Sequence, residues 1–335
     1  MTNFFKILFF NTLITGTLIS ISSYSWFSMW MGLELNLLSM IPLMVEKSIY
    51  SSESALKYFI SQTLASSVIL FAIIMMSNTK EFIPQNSNYF LMMMMNSALL
   101  TKLGAAPFHF WFPEVLEGIF WMNCLIMLTW QKIAPMILIM YNLKMDLFYT
   151  SIIIFSSMVG SIIGLNQVSL RKIMAYSSIN HIGWMIASMY SYSTWLSYFL
   201  IYSIITTNIV VMFSLNKIYW LNQITNMYSQ SKQFKMIFMM NFFSLGGIPP
   251  FLGFFPKWIT INLMVNCEFF MMSFILIVLT LLTMFFYLRI TFSTLTINAS
   301  ESLIQKNKMN SFLINFFSMV SLSGLLICTL IPNLT

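Results

Sequence analysis

The sequence predicts an all-α polytopic membrane protein of about eleven transmembrane helices, and three observations carry that reading. Of its 335 residues, 59% are hydrophobic and only 7% are charged, with a mean hydropathy of +0.82. A soluble domain carries about 25% charged residues, so this chain has too few to cover a surface facing water. Nearly the whole sequence also divides into apolar stretches close to the ~20 residues that cross a hydrocarbon core. Finally, its lysines and arginines stand singly at the ends of those stretches, the way membrane topology is written.

Taken in order, spans are expected at about 4–22, 25–44, 55–77, 89–118, 119–141, 148–168, 173–190, 195–215, 236–265, 269–290 and 311–331. The opening residues, MTNFFKILFF, run straight into the first span, with neither a cleavable signal nor an Arg- and Ser-rich transit segment expected. The fourth and ninth spans are longer than the rest and hold internal Pro and Gly. Each is therefore either one interrupted helix or two crossings.

Charge separates these alternatives. With single crossings, Lys6, Lys47, Lys57, Arg171, Lys172, Lys217, Lys232, Lys235, Arg289, Lys306 and Lys308 share the side of the N-terminus. Only Lys80 and Lys144 fall on the other side. With double crossings that bias almost vanishes, so single, interrupted helices are expected, broken near 104–108 and 246–251, with the N-terminus on the positive-inside face. The two breaks also resemble each other. Pro107-Phe108-His109-Phe110-Trp111-Phe112-Pro113 and Pro250-Phe251-Leu252-Gly253-Phe254-Phe255-Pro256 both read PFxxxFP, and each is followed by a charge, Glu114 or Lys257. The odd number of spans between them inverts the second copy. Residues 1–147 and 148–290 are then inverted five-helix repeats, each with a broken helix, and 291–335 adds a loop and a last span.

The net charge of +7 comes without any basic cluster, which argues against a nucleic-acid partner. Cys124, Cys267 and Cys328 lie far apart with no CxxC spacing, so neither an iron–sulfur cluster nor a zinc site is supported. No GxGxxG or P-loop pattern occurs. No cofactor is expected in this chain.

Four charges fall inside spans: Glu34, Lys102, Lys132 and Lys257. An ionised side chain at a helix centre costs at least ~2.5–3.5 kcal/mol on insertion scales, so they read as functional. Snorkelling suits Lys6, Lys57 and Arg289 but not Lys132, which sits well inside its span. Desolvation disfavours the charged form of a lysine, and a neighbouring carboxylate such as Glu34 restores it, so their spacing is a lever on protonation. Pro135 leaves the Gln131 carbonyl without its helical donor beside Lys132, where water could join the lysines into a path. His181, within Ser177-Ser178-Ile179-Asn180-His181, is a relay or a histidine bonding a neighbouring helix. His109 is expected to bond freed backbone, and Glu114 and Glu117 to be solvated.

The stretches MGLELNLLSMIPL, KLGAAPFHFWFPEVLEG, WQKIAP, LRKIMAYSSINHIGWM and SLGGIPPFLGFFPKW resemble, in order across residues 25–290, the chain 2 family of mitochondrial NADH:ubiquinone oxidoreductase, respiratory complex I. That family belongs to the antiporter-like subunits of the proton-pumping membrane arm, related to Mrp-type cation/proton antiporters. The eleven spans fit the animal form, which lacks three N-terminal helices of bacterial relatives. By this resemblance Glu34 is the carboxylate partner of Lys102, Lys132 is the central lysine and Lys257 the terminal one. A glutamate occupies that last position in the sister chain 4.

The resemblance implies a subunit without a redox centre, seated in the mitochondrial inner membrane among lipids and other membrane-arm subunits, including a second antiporter-like one. Its N-terminus would face the matrix and its C-terminus the intermembrane space. FMN, iron–sulfur clusters and ubiquinone would belong to the parent complex, whose quinone reduction drives protons along the buried groups. Two rival classes remain at this point. A stand-alone antiporter would exchange Na⁺ or K⁺ for H⁺ on the same lysines, and a purely structural subunit would need none of them.

Overall fold

The computed structural model describes residues 2–46, 48–78, 85–143, 145–224 and 232–295. Its helices are α1 (Thr2–Ser22), α2 (Trp26–Met44), α3 (Ile49–Asn78), α4 (Gln85–Leu103), α5 (Trp111–Gly118), α6 (Trp121–Leu128) and α7 (Trp130–Met140). They continue as α8 (Asp146–Leu165), α9 (Leu170–Ser188), α10 (Tyr192–Asn216), α11 (Leu221–Ile224), α12 (Lys232–Gly246), α13 (Phe254–Asn266) and α14 (Phe270–Leu295). Among the described residues the only extended pairing is one isolated bridge, Ser169 with Trp220.

Among the described residues, seven stretches are long and apolar enough to cross a membrane: Phe4–Ser22, Trp26–Met44, Ile49–Ser77, Trp121–Met140, Asp146–Leu165, Tyr192–Asn216 and Phe270–Phe292. The expected fourth and ninth spans do not qualify as single helices because each is interrupted. The seventh mixes Arg171, Lys172, Asn180 and His181 into its apolar residues. The expected eleventh span lies outside the described residues, as do Cys328, Lys47, Lys80, Lys144, Lys306, Lys308 and the side chains of Lys232 and Lys235.

Hydroxyls inside these helices bond their own backbone. Thr17 donates to the Ile14 carbonyl, Ser20 to Thr17, Ser156 to Ile153 and Thr283 to Thr280, at 2.7–3.0 Å. A serine so satisfied can sit in an apolar setting without an orphaned polar group. The outer faces are the reverse of a soluble protein's: Leu56, Ile60 and Leu64 on α3, and Phe274, Leu281 and Phe285 on α14, are all exposed. An apolar surface this continuous suits lipid or another apolar partner.

The chain forms two compact units divided between Ile152 and Ile153. In the first, the α1 and α2 backbones touch. A Cβ on Gly32 would lie 2.6 Å from the Ser20 nitrogen and 2.8 Å from the Gly16 carbonyl oxygen, so glycine is what permits the contact. Trp30 Nε1 donates to the Ser66 carbonyl at 3.1 Å, pinning α2 to α3. Gln131 Nε2 donates to Asn36 Oδ1 at 2.9 Å, pinning α2 to α7.

In the second unit α9 is the central helix, every side chain from Ser177 to Ser188 being buried, and α10, α13 and α14 pack against it. Arg289 on α14 donates to the Leu165 and Gln167 carbonyls at 2.7 and 2.9 Å, satisfying oxygens that the end of α8 leaves without helical donors.

Candidate functional site

Both long spans lose their helix where the sequence places Gly and Pro. After α4, Gly104 takes φ 75°, and the Gly104 and Ala105 amides both donate to the Leu100 carbonyl at 3.0 and 3.1 Å. After α12, Gly247 takes φ 76°, and the Gly247 and Ile248 amides both donate to the Phe243 carbonyl at 3.0 and 3.3 Å. Each is a helix end closed by a left-handed glycine. A proline with no amide to donate follows each end, Pro107 and Pro250, both after cis peptide bonds. Helix resumes at Trp111 and at Phe254.

Lys102 lies in the last turn of α4, and Lys132 is three residues beyond the gap at Thr129 that separates α6 from α7. They are 8% and 1% exposed, so neither ammonium faces outward. Both line one cavity, with Tyr58, Trp111, Phe112 and Gln131 also in its wall, large enough for about one water molecule. Lys132 Nζ stands 5.9 Å from the Phe112 ring centroid. Trp111 Nε1 donates to the Thr101 carbonyl at 3.0 Å, which ties the resumed helix back to the end of α4.

Glu34 on α2 has one carboxylate oxygen buried that accepts no hydrogen bond. Its charge acts through space on both Lys102 and Tyr58. The ion pairs among the described residues are Lys6–Glu46, Lys57–Glu53 and Lys57–Glu114. A direct Glu34–Lys102 contact, one of the two forms of approach anticipated from their charges, is not among them.

In the second unit Lys257 occupies the first turn of α13. Its Nζ reaches back across the break to donate to the Gly246 carbonyl at 2.6 Å and stands 5.9 Å from the Trp184 ring centroid. A Cβ on Gly247 would lie only 2.9–3.1 Å from the Lys257 Cδ, Cε and Nζ atoms. His181 shares a 2.9 Å hydrogen bond between Nδ1 and the Tyr198 hydroxyl, with the Tyr202 ring 5.0 Å away. It lines a second cavity with Tyr198, Tyr202, Ser244, Gly253 and Pro256, again with room for about one water. The histidine thus bonds a neighbouring helix and also borders both arms of the second break.

His109 is buried and lies 4.4 Å from the Phe110 ring, and its Nδ1 has no hydrogen-bond partner among the described residues. Glu114 is not simply solvated but pairs with Lys57 at 2.9 Å. The sequence reading did not single out Tyr58, Tyr198 or the amide of Gln131. Nothing within one helix separates a tyrosine that lines a cavity from one that only packs. Chemically, each cavity sets ionisable or hydroxyl groups around a water-sized space, which suits exchange of protons rather than binding of a larger ligand.

The chain matches the family model described as NADH:quinone oxidoreductase/Mrp antiporter, TM, over residues 23–283, a range that contains all five candidate residues. It is 47% identical over 336 residues to NADH-ubiquinone oxidoreductase chain 2 of Anopheles gambiae, covering 97% of each chain. With chain 2 of Aedes aegypti it shares 48% identity over 331 residues, again covering 97% of each. Among solved structures, respiratory complex I from Thermus thermophilus with bound aureothin contains a chain of the same fold, with a TM-score of 0.88 at 22% identity over 98% of this chain and 80% of that one. The chain therefore belongs to the NADH:quinone oxidoreductase/Mrp antiporter family of transmembrane proteins.

Proposed function

We propose that this chain is an antiporter-like core subunit of respiratory complex I, the proton-translocating NADH:ubiquinone oxidoreductase. In this reading it carries part of a proton path on buried Lys102, Lys132, Lys257, His181 and Glu34. The observation that carries the reading is the shared cavity of Lys102 and Lys132 at a helix break. Two buried ammonium groups around a water-sized space repel each other and would be costly to keep as mere packing. Near identity in length with complex I chain 2 relatives favours the subunit over a stand-alone antiporter.

The proposal includes eleven spans in two inverted repeats. The matching helix ends at Gly104 and Gly247 support the repeat, although span eleven falls on residues that are not described. It also places the N-terminus in the matrix and the C-terminus in the intermembrane space, supported by the distribution of basic residues. Redox chemistry belongs to FMN, iron–sulfur clusters and ubiquinone elsewhere in the complex, and this chain contributes the response of its buried charges. Each proton moved against the membrane potential costs ~2.3 kcal/mol per 100 mV, so the oxidation of NADH must supply that work.

Lys132→Met tests the reading, because it keeps the length and apolar stem while removing the titrating group. The complex should assemble, and NADH-driven proton pumping should fall. Full pumping in that variant would leave Lys132 a packing element and the chain a scaffold.

A further inference from the structure

We infer that the hydroxyl of Tyr58 is the proton relay between the Glu34 carboxylate and the cavity of Lys102 and Lys132, an inference that rests on the function proposed above. Tyr58 is 3% exposed, on the buried face of the first third of α3. It lines the cavity that both lysines line. The Glu34 charge bears on Tyr58 as it bears on Lys102, and the tyrosine shares its cavity with both lysines. Its ring rests against Trp111, centroids 5.9 Å apart, which fixes its position at the helix break.

Chemistry singles out this side chain from the rest of the wall. An ammonium only donates, and an ionised carboxylate only accepts. A group that passes a proton between them must do both, and Tyr58 carries the one hydroxyl in the cavity wall. The Gln131 amide is committed to Asn36 at 2.9 Å, and an amide does not readily change its proton count. Glu34 has a buried oxygen that accepts no hydrogen bond, so the terminus of such a relay is open.

The transfer balances without any further reactant. Lys102 gives a proton, directly or through one cavity water, to the Tyr58 oxygen as the tyrosine's own proton passes to Glu34. The lysine becomes neutral, the carboxylate becomes a carboxylic acid, and the tyrosine is unchanged once its hydroxyl rotates back. The reverse sequence recharges the lysine. Because neither product is charged, a proton can move within a low-dielectric site without leaving an isolated ion.

The test uses the assembled complex in sealed inner-membrane vesicles and measures protons moved per NADH oxidised, in H₂O and in D₂O. Tyr58→Phe keeps the ring and its packing. The relay predicts normal assembly, a pumping yield reduced at least several-fold and a changed solvent isotope effect. Tyr58→Gln keeps a group that donates and accepts but cannot hand a proton on, and the relay predicts the same loss. Glu34→Gln combined with Tyr58→Phe should lose no more than the worse single variant, since both interrupt one transfer.

Unaltered pumping in Tyr58→Phe, with Lys132→Met defective, overturns the relay and leaves the proposed function standing. Restoration by Tyr58→Gln also overturns it, since hydrogen bonding alone would then suffice. Full pumping in Lys132→Met overturns the proposed function and the relay with it. If Tyr58→Phe fails to assemble, the Tyr58→Gln comparison decides.

Discussion

Replacing Gly247 by alanine perturbs two things that the structure couples, the end of α12 and the seat of Lys257. Gly247 holds φ 76°, and an L-residue in the left-handed region costs about 1–2 kcal/mol. The new Cβ would also stand 2.9 Å from Lys257 Cδ and 3.1 Å from Nζ. Ordinary carbon contacts lie near 3.5–4.0 Å, so the lysine stem must withdraw by roughly half an ångström or more. Its Nζ now donates to the Gly246 carbonyl at 2.6 Å, and a hydrogen bond from a charged group is worth about 1.5–3 kcal/mol. Losing a large part of that bond adds to the backbone term, for a total of about 2.5–4 kcal/mol.

A double-mutant cycle separates the two contributions. In a Lys257→Met background there is no ammonium bond to lose and the flexible thioether can yield, so Gly247→Ala should cost only the backbone term, about 1–2 kcal/mol. The detergent-denaturation midpoint of the purified complex, followed for this subunit, reports the difference. The expected coupling is on the order of 1.5–2 kcal/mol. Gly247→Ala alone should also lower protons pumped per NADH, because it moves a proposed proton-path group. Equal destabilisation in both backgrounds would refute the idea that Gly247 makes room for a lysine bound to the end of α12.

Two further outcomes follow from other parts of the molecule. Tyr198→Phe removes the 2.9 Å partner of His181 Nδ1, so the pH profile of NADH-driven pumping should move while assembly persists. An unchanged profile would assign His181 to packing. Cys267, exposed at the turn between α13 and α14, faces the intermembrane space in the proposed topology. A membrane-impermeant thiol reagent should label it in mitoplasts, and labelling confined to inverted vesicles would reverse the orientation.

The features most legible in the sequence were those that hydrocarbon makes expensive. Lys102, Lys132 and Lys257 stood out because a charge inside an apolar run needs a reason, and all three are buried. The helix ends at Leu103 and Gly246 were readable because Gly supplies a positive φ that other residues resist and Pro withdraws a donor. What one dimension did not reveal were partnerships between distant residues. Lys57 and Glu114 each looked like isolated surface charges, and their 2.9 Å pairing depends on how α5 returns to α3. Gln131 could be seen beside Pro135, but its bond to Asn36 depends on the packing of α2 against α7. Tyr58 and Tyr198 were hidden because an aromatic residue in an apolar helix is ordinarily packing, and only the cavities distinguish them.

The handling of polar groups in this chain follows one division that bears on function. Isolated hydroxyls such as Thr17, Ser156 and Thr283 are satisfied by carbonyls one turn earlier. Two of the groups that can change charge stand instead where helices end, Lys102 before the first break and Lys257 after the second. A helix end is the one place in an apolar helix where backbone oxygens and amides are available to solvate a charge or a water. Lys257 already uses such an oxygen, from Gly246. If these groups only held the fold together, burying them at the breaks would cost stability that hydrophobic residues could supply more cheaply. Their placement makes sense if a charge must sometimes be present and sometimes absent, because the broken ends can stabilise the charged state that the surrounding hydrocarbon disfavours.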